Sequence, residues 1–191
     1  MDIDSVTLEN ALEVLGQLLT DRDQHYEVVA IGGGSLLLLG QIDRTTKDID
    51  LVALMNSGHL ISADPLPSGL LQAVEDVGNT LGLGKEWLNI GPASLFEMGL
   101  PSGFQDRMHK RCYHGLTVYL ADRFDQICFK LYAAVDQGRY SKHFADLRIL
   151  QPTREELRAA KGWCITHDVS EPFAIDLEQA VTELEKVHGH T

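Results

Sequence analysis

Residues 26–54, YEVVAIGGGSLLLLGQIDRTTKDIDLVAL, decide the fold. Tyr26–Ile31 reads as a buried strand, and it runs straight into Gly32-Gly33-Gly34. Ser35 to Leu39 then opens a short apolar helix, and Asp48-Ile49-Asp50-Leu51-Val52-Ala53-Leu54 reads as a second strand. Three glycines at a strand–helix junction let the backbone turn sharply and offer its N–H groups to an anion such as phosphate. Asp48 and Asp50 are two residues apart on the expected strand, so both side chains project to one face. Two adjacent carboxylates stay ionised most readily with a cation between them. A hard divalent ion, Mg²⁺ or Mn²⁺, takes oxygen ligands and bridges carboxylates to substrate phosphates. The expected metal ligands are therefore Asp48 and Asp50, and the expected nucleotide-binding residues are Gly33, Gly34, Ser35, Arg44 and Lys47. Arg44 and Lys47 earn their place by lying just ahead of the acidic pair, where they can reach phosphate oxygens. Neither G-x-G-x-x-G nor G-K-[ST] occurs, which argues against a dinucleotide fold and a P-loop.

Working outward, residues 5–19 place Leu8, Ala11, Leu12, Leu15, Leu18 and Leu19 at helical spacing. A helix is expected near 68–81, with Leu70, Leu71, Val74, Val77 and Leu81 on one face. The Gly- and Pro-rich stretch 82–103 carries no readable periodicity. Runs 106–112 and 116–120, flanking His114-Gly115, predict a β-hairpin. From Asp122 the pattern is helical, over roughly 123–136, 141–150, 153–167 and 171–187, and Thr153 with Glu156 forms a capping box. Strand, glycine turn, helix, strand, hairpin and helices predict an α/β (α+β) fold, a small mixed sheet flanked by helices. Residues 1–121 are the expected core, and 122–191 an all-helical C-terminal extension packed on it.

The chain's 191 residues and 44% hydrophobic content are those of an ordinary globular protein. Cys112, Cys128 and Cys164 are scattered and odd in number, so neither a disulfide framework nor a zinc ribbon is suggested. The acidic start and the lack of a long apolar run predict a cytoplasmic protein without a membrane span. A net charge of −12 argues against general coating of DNA or RNA. Arg107, His109, Lys110 and Arg111 form one local basic patch, most simply a solvated face. The eight histidines include no H-E-x-x-H; His188 and His190 read as a solvated tail. Trp87 and Trp163 read as packing residues.

The stretch IGGGSLLLLGQIDRTTKDIDLVAL, residues 31–54, resembles the signature of the DNA polymerase β-like nucleotidyltransferase superfamily, a glycine motif followed by D-x-D. More narrowly it is similar to AbiEii-type toxins of type IV toxin–antitoxin systems and their short relatives. In the second half, LTVYLADRFDQICFKLYAAVDQGRYSKHFADLRIL adds Lys130, Arg139, Lys142 and Asp146 to the resemblance. It implies that Lys130 and Asp146 join Asp48 and Asp50 as catalytic members of one cleft, with Lys130 touching phosphate or positioning the acceptor. Two departures stand out. The family's Lys-Asp step is Lys142-His143 here, and the expected strand 116–120 carries no third acid, although Asp122 and Asp125 follow it. The implied activity is Mg²⁺-dependent transfer of a nucleotidyl group from an NTP to a hydroxyl of a tRNA 3′ end or a protein, with an antitoxin as a possible partner. The alternative is a nucleotide-binding regulatory protein of the same fold with reduced turnover.

Overall fold

A computed structural model describes residues 2–187, which divide into two compact units, one running through Ala121 and the other starting at Asp122. The first unit is a mixed α/β layer structure, the second all helical. The histidines at 188 and 190 lie outside the described residues.

In the first unit, α1 (Ser5–Asp21) leads to β1 (Tyr26–Ile31), α2 (Gly32–Leu38), β2 (Ile49–Asn56), β3 (His59–Ser62) and α3 (Ser68–Leu81). Then come β4 (Leu88–Asn89), α4 (Ser94–Met98), α5 (Phe104–Arg107), β5 (His109–Tyr113) and β6 (Leu116–Leu120). The sheet order is β3-β2-β1-β6-β5, with β4 also pairing β2. β1 runs antiparallel to β2 and parallel to β6. The period-2 pleat sorts the side chains onto two faces. Val28, Ala30, Ile49, Leu51, Val118 and Leu120 join the core cluster with Leu8, Leu12, Leu15 and Leu19 of α1 and Leu70, Val74 and Val77 of α3. Each such fully buried aliphatic side chain contributes roughly 1.5–3 kcal/mol. That burial, spaced at helical period, is why α1 and α3 form where they do.

Three boundaries differ from expectation. Helix α2 begins at Gly32 rather than Ser35, so the glycines form its first turn. Strand β2 begins at Ile49, leaving Asp48 immediately outside it. The hairpin's first strand begins at His109, because 104–107 is a short helix that takes up Arg107. The stretch 82–103 contains β4 and α4, elements too short to leave a period in the sequence.

The second unit comprises α6 (Arg123–Gln137), α7 (Lys142–Leu150), α8 (Arg154–His167) and α9 (Glu171–Val187). Helix α6 packs against each of the other three. Asp122 caps α6 through Phe124 N–H, and Ser141 caps α7 through Phe144 N–H. Thr153 and Glu156 form the expected capping box of α8. Trp163 packs edge-on against Phe129 and Tyr132.

Candidate active site

The site grows from the junction of β1 and α2. Gly32 has φ +79°, in the left-handed region that only glycine enters without strain. A Cβ there would lie 2.7 Å from Asp50 Oδ2, so the glycine also makes room for that carboxylate. The antiparallel register places Ile31 opposite Asp50, which is what brings turn and carboxylate together. A Cβ on Gly33 would meet Thr46 Oγ1 at 3.2 Å and Arg44 Nη2 at 3.3 Å. A Cβ on Gly34 would meet the Asp48 carbonyl oxygen at 2.8 Å. Three consecutive glycines thus touch Asp50, Arg44 and the backbone of Asp48 in turn.

Ile49 between the acids is fully buried in the core, whereas Asp48 and Asp50 are half-buried. That alternation puts both carboxylates on the side of the chain away from Ile49. Ser35 is fully buried, and its Oγ has no hydrogen-bond partner, a donor of the kind that usually answers to a ligand or water. Gly33 and Gly34 are buried as well, and Lys47 is exposed.

The loop carrying Arg44 and Lys47 is held from three directions. Ile3 and Thr46 exchange backbone hydrogen bonds at 2.7 and 2.9 Å, a small antiparallel bridge. Thr46 Oγ1 donates to the Asp48 carbonyl at 3.0 Å, and Arg44 Nη1 donates to the Thr45 carbonyl at 3.1 Å. Sequence reasoning passed over Thr46. Its signal was a small hydroxyl residue two positions before Asp48, continuing the alternation of the strand.

The far end of α2 is held too. Arg111 Nη2 donates to the Leu38 carbonyl at 2.6 Å and its Nη1 pairs with Glu9, while Tyr113 Oη donates to the same carboxylate at 2.6 Å. Burial and the neighbouring Glu9 carboxylate push the Tyr113 phenol well above its ordinary range, so it stays a donor. Part of the expected solvated patch at 107–111 is therefore structural: Arg111 supports the helix that carries the glycines.

Lys130 and Asp146 belong to the second unit. Both are buried, and Lys130 Nζ lies 2.7 Å from Asp146 Oδ2 across α6 and α7. The structure thus gathers Gly32–Ser35, Arg44, Asp48 and Asp50 in one unit and pairs Lys130 with Asp146 in the other. Of the two acids that follow β6, Asp122 caps α6 and Asp125 is fully buried.

The glycine turn, the basic loop and the acid pair fall within residues 7–140, which match the family described as nucleotidyltransferase of unknown function (DUF6036). The chain belongs to that family. The match runs from within α1 through the whole of the second unit's first helix, including Lys130, and stops before Asp146. The mixed sheet flanked by helices is the architecture expected of a nucleotidyltransferase. No curated protein and no solved structure matches the chain. Among the described residues no helix is long and apolar enough to cross a membrane.

The donor set bears on a metal. Two half-buried carboxylates suit Mg²⁺ or Mn²⁺, which is commonly held by one or two carboxylates and completes its shell with water and substrate phosphates. Among the described residues, no three His, Cys, Asp or Glu side chains converge to hold an ion without a substrate.

Proposed function

We propose that the protein transfers a nucleotidyl group from an NTP to a hydroxyl acceptor at the site formed by Gly32–Ser35, Arg44, Asp48 and Asp50. The observation that carries this reading is the contact of Gly32 with the Asp50 carboxylate and of Gly33 with the Arg44 guanidinium, an acid and a cation on adjacent glycines. Gly33, Gly34 and the Ser35 hydroxyl offer donors to the triphosphate, because the first-turn amides of a helix have no intrahelical partner. Arg44, with Lys47 nearby, offsets charge that builds on the phosphate oxygens as the acceptor oxygen attacks the α-phosphorus and pyrophosphate departs. Asp48 and Asp50 would hold Mg²⁺, which when bound neutralises that charge and orients the phosphates. One of these carboxylates would also take the proton of the acceptor hydroxyl as it attacks.

The resemblance to AbiEii-type toxins supports a tRNA 3′ end or a protein hydroxyl as acceptor and an antitoxin as partner, in the cytoplasm. Lys130 and Asp146 enter that reading as a second catalytic pair. Their mutual ion pair and burial support a regulatory alternative in which nucleotide binds and turnover is low. One labelling experiment separates the two. Protein, Mg²⁺ and each α-labelled NTP are incubated with total tRNA or with lysate, beside an Asp48→Ala, Asp50→Ala variant. Label moved by the wild type alone supports transfer. Nucleotide binding that requires both acids, without label transfer, supports the regulatory protein.

A further inference from the structure

Strand β4 is two residues long, yet it is firmly anchored beside the acid pair. Ile49 N–H donates to the Trp87 carbonyl at 2.8 Å, and the fully buried Trp87 donates its indole N–H to the Val74 carbonyl at 2.9 Å. The parallel register then sets Leu88 beside Ile49 and Asn89 beside Asp50. Leu88 and Ile49 are both buried in the core cluster, so Asn89 and Asp50 share the opposite face. Neighbouring strands lie about 4.8 Å apart, so the Asn89 and Asp50 side chains stand side by side on that face.

The orientation of that amide is fixed by chemistry. Gly91 N–H donates to Asn89 Oδ1 at 2.8 Å, and an N–H can only meet the oxygen. Gly91 leaves that contact uncrowded, since a Cβ there would lie 3.0 Å from Oδ1. One lone pair of the oxygen is thereby used by the loop, and the Nδ2 group, with its two donors, lies on the other side of the amide. An Nδ2 group so placed complements an anionic oxygen, since an amide nitrogen donates and does not ligate a cation.

We infer that Asn89 is a further substrate-binding residue of this site, its Nδ2 donating to a phosphate oxygen of the nucleotide held at Asp50. The inference rests on the nucleotidyl-transfer reading of that site and names a contact that reading did not contain. It also gives β4 a purpose: a strand of two residues sets one side chain beside the acid pair.

Calorimetry with Mg²⁺ and nonhydrolysable NTP analogues tests it, with Asp50→Ala, Asn89→Asp and Asn89→Ser beside the wild type. Asn89→Asp is near-isosteric and still accepts from Gly91 N–H, and Asn89→Ser keeps a small acceptor for it. Both remove the Nδ2 donors, and melting curves report whether the fold is kept. The expected result is nucleotide binding weakened about tenfold or more in both variants, with Asn89→Asp the weaker, at unchanged melting temperature. Wild-type affinity in both, with Asp50→Ala inactive in binding, overturns the role of Asn89 and leaves the site reading standing. Tighter Mn²⁺ binding by Asn89→Asp in the absence of nucleotide, with nucleotide affinity kept, also overturns it, by making position 89 a metal-ligand position. Failure of the wild type to bind any Mg²⁺–NTP analogue overturns the site reading, and this inference with it.

Discussion

Gly32 and Asp50 occupy each other's space: the carboxylate oxygen Oδ2 sits 2.7 Å from where a Cβ of residue 32 would be. The acid pair is thus placed by the glycine turn as much as by its own strand. Gly32→Ala is expected to destabilise the protein by about 1–2 kcal/mol through the left-handed backbone alone. It is also expected to weaken Mg²⁺–NTP binding, because Asp50 has to move. Chemical denaturation and calorimetry on the same variant read the two effects separately.

Asp50→Asn and Asp48→Asn keep size and remove charge. Metal-dependent nucleotide binding is expected to fall at least tenfold in each, while stability changes by less than about 1 kcal/mol, since both side chains are only half-buried and keep their size. Loss of stability without loss of binding would show the acids to be structural.

Lys130 and Asp146 form a buried ion pair, and removing one partner takes away a charge that offsets the other. Lys130→Met and Asp146→Asn are each expected to cost about 3–5 kcal/mol, and the double variant less than their sum. A double-mutant cycle by urea denaturation measures the coupling. If either single variant is fully stable yet inactive in transfer, the pair is catalytic before it is structural.

Asp4 caps α1, and its bonds from Thr7, side chain first and backbone next, hold its carboxyl below the usual range. A lowered folded-state pKa gives stability that is present above the unfolded pKa and lost as pH falls through the folded one. Asn caps a helix without titrating. Whatever advantage the wild type holds over Asp4→Asn at neutral pH is therefore expected to shrink below about pH 4, followed by melting temperature across an acid series.

Thr153→Ala removes one half of the capping box on α8 and is expected to cost about 1 kcal/mol with no effect on nucleotide binding. It serves as the control for stability loss away from the site.

The sequence announced its long elements because their burial is periodic. The stretch 68–81 coincides with α3, and 26–31 with β1, since each buries a face whose spacing survives in the residue order. It hid the elements that tertiary contacts impose. β3 is a four-residue edge strand of alternating exposure, and β4 exists because Trp87 is buried and Ile49 takes its carbonyl. Of the candidate site, the glycines, Arg44 and the two acids were legible because hairpin-distance residues needed only one strand pairing to meet. Asn89 was not, because a lone Asn before Gly91-Pro92 reads as turn chemistry until the register places it beside Asp50. Lys130 and Asp146 were singled out together only through the resemblance; that they pair with each other is decided by the packing of α6 on α7, which leaves no mark in the residue order.

The bridge between Ile3 and Thr46 ties the segment ahead of α1 to the loop before the acid pair. Two backbone hydrogen bonds and one from a threonine hydroxyl link residue 3 to the carbonyl of Asp48. The segment ahead of α1 thus braces the loop that carries Arg44 and Lys47, and a disturbance at Ile3 is passed through Thr46 to the backbone of the acid pair.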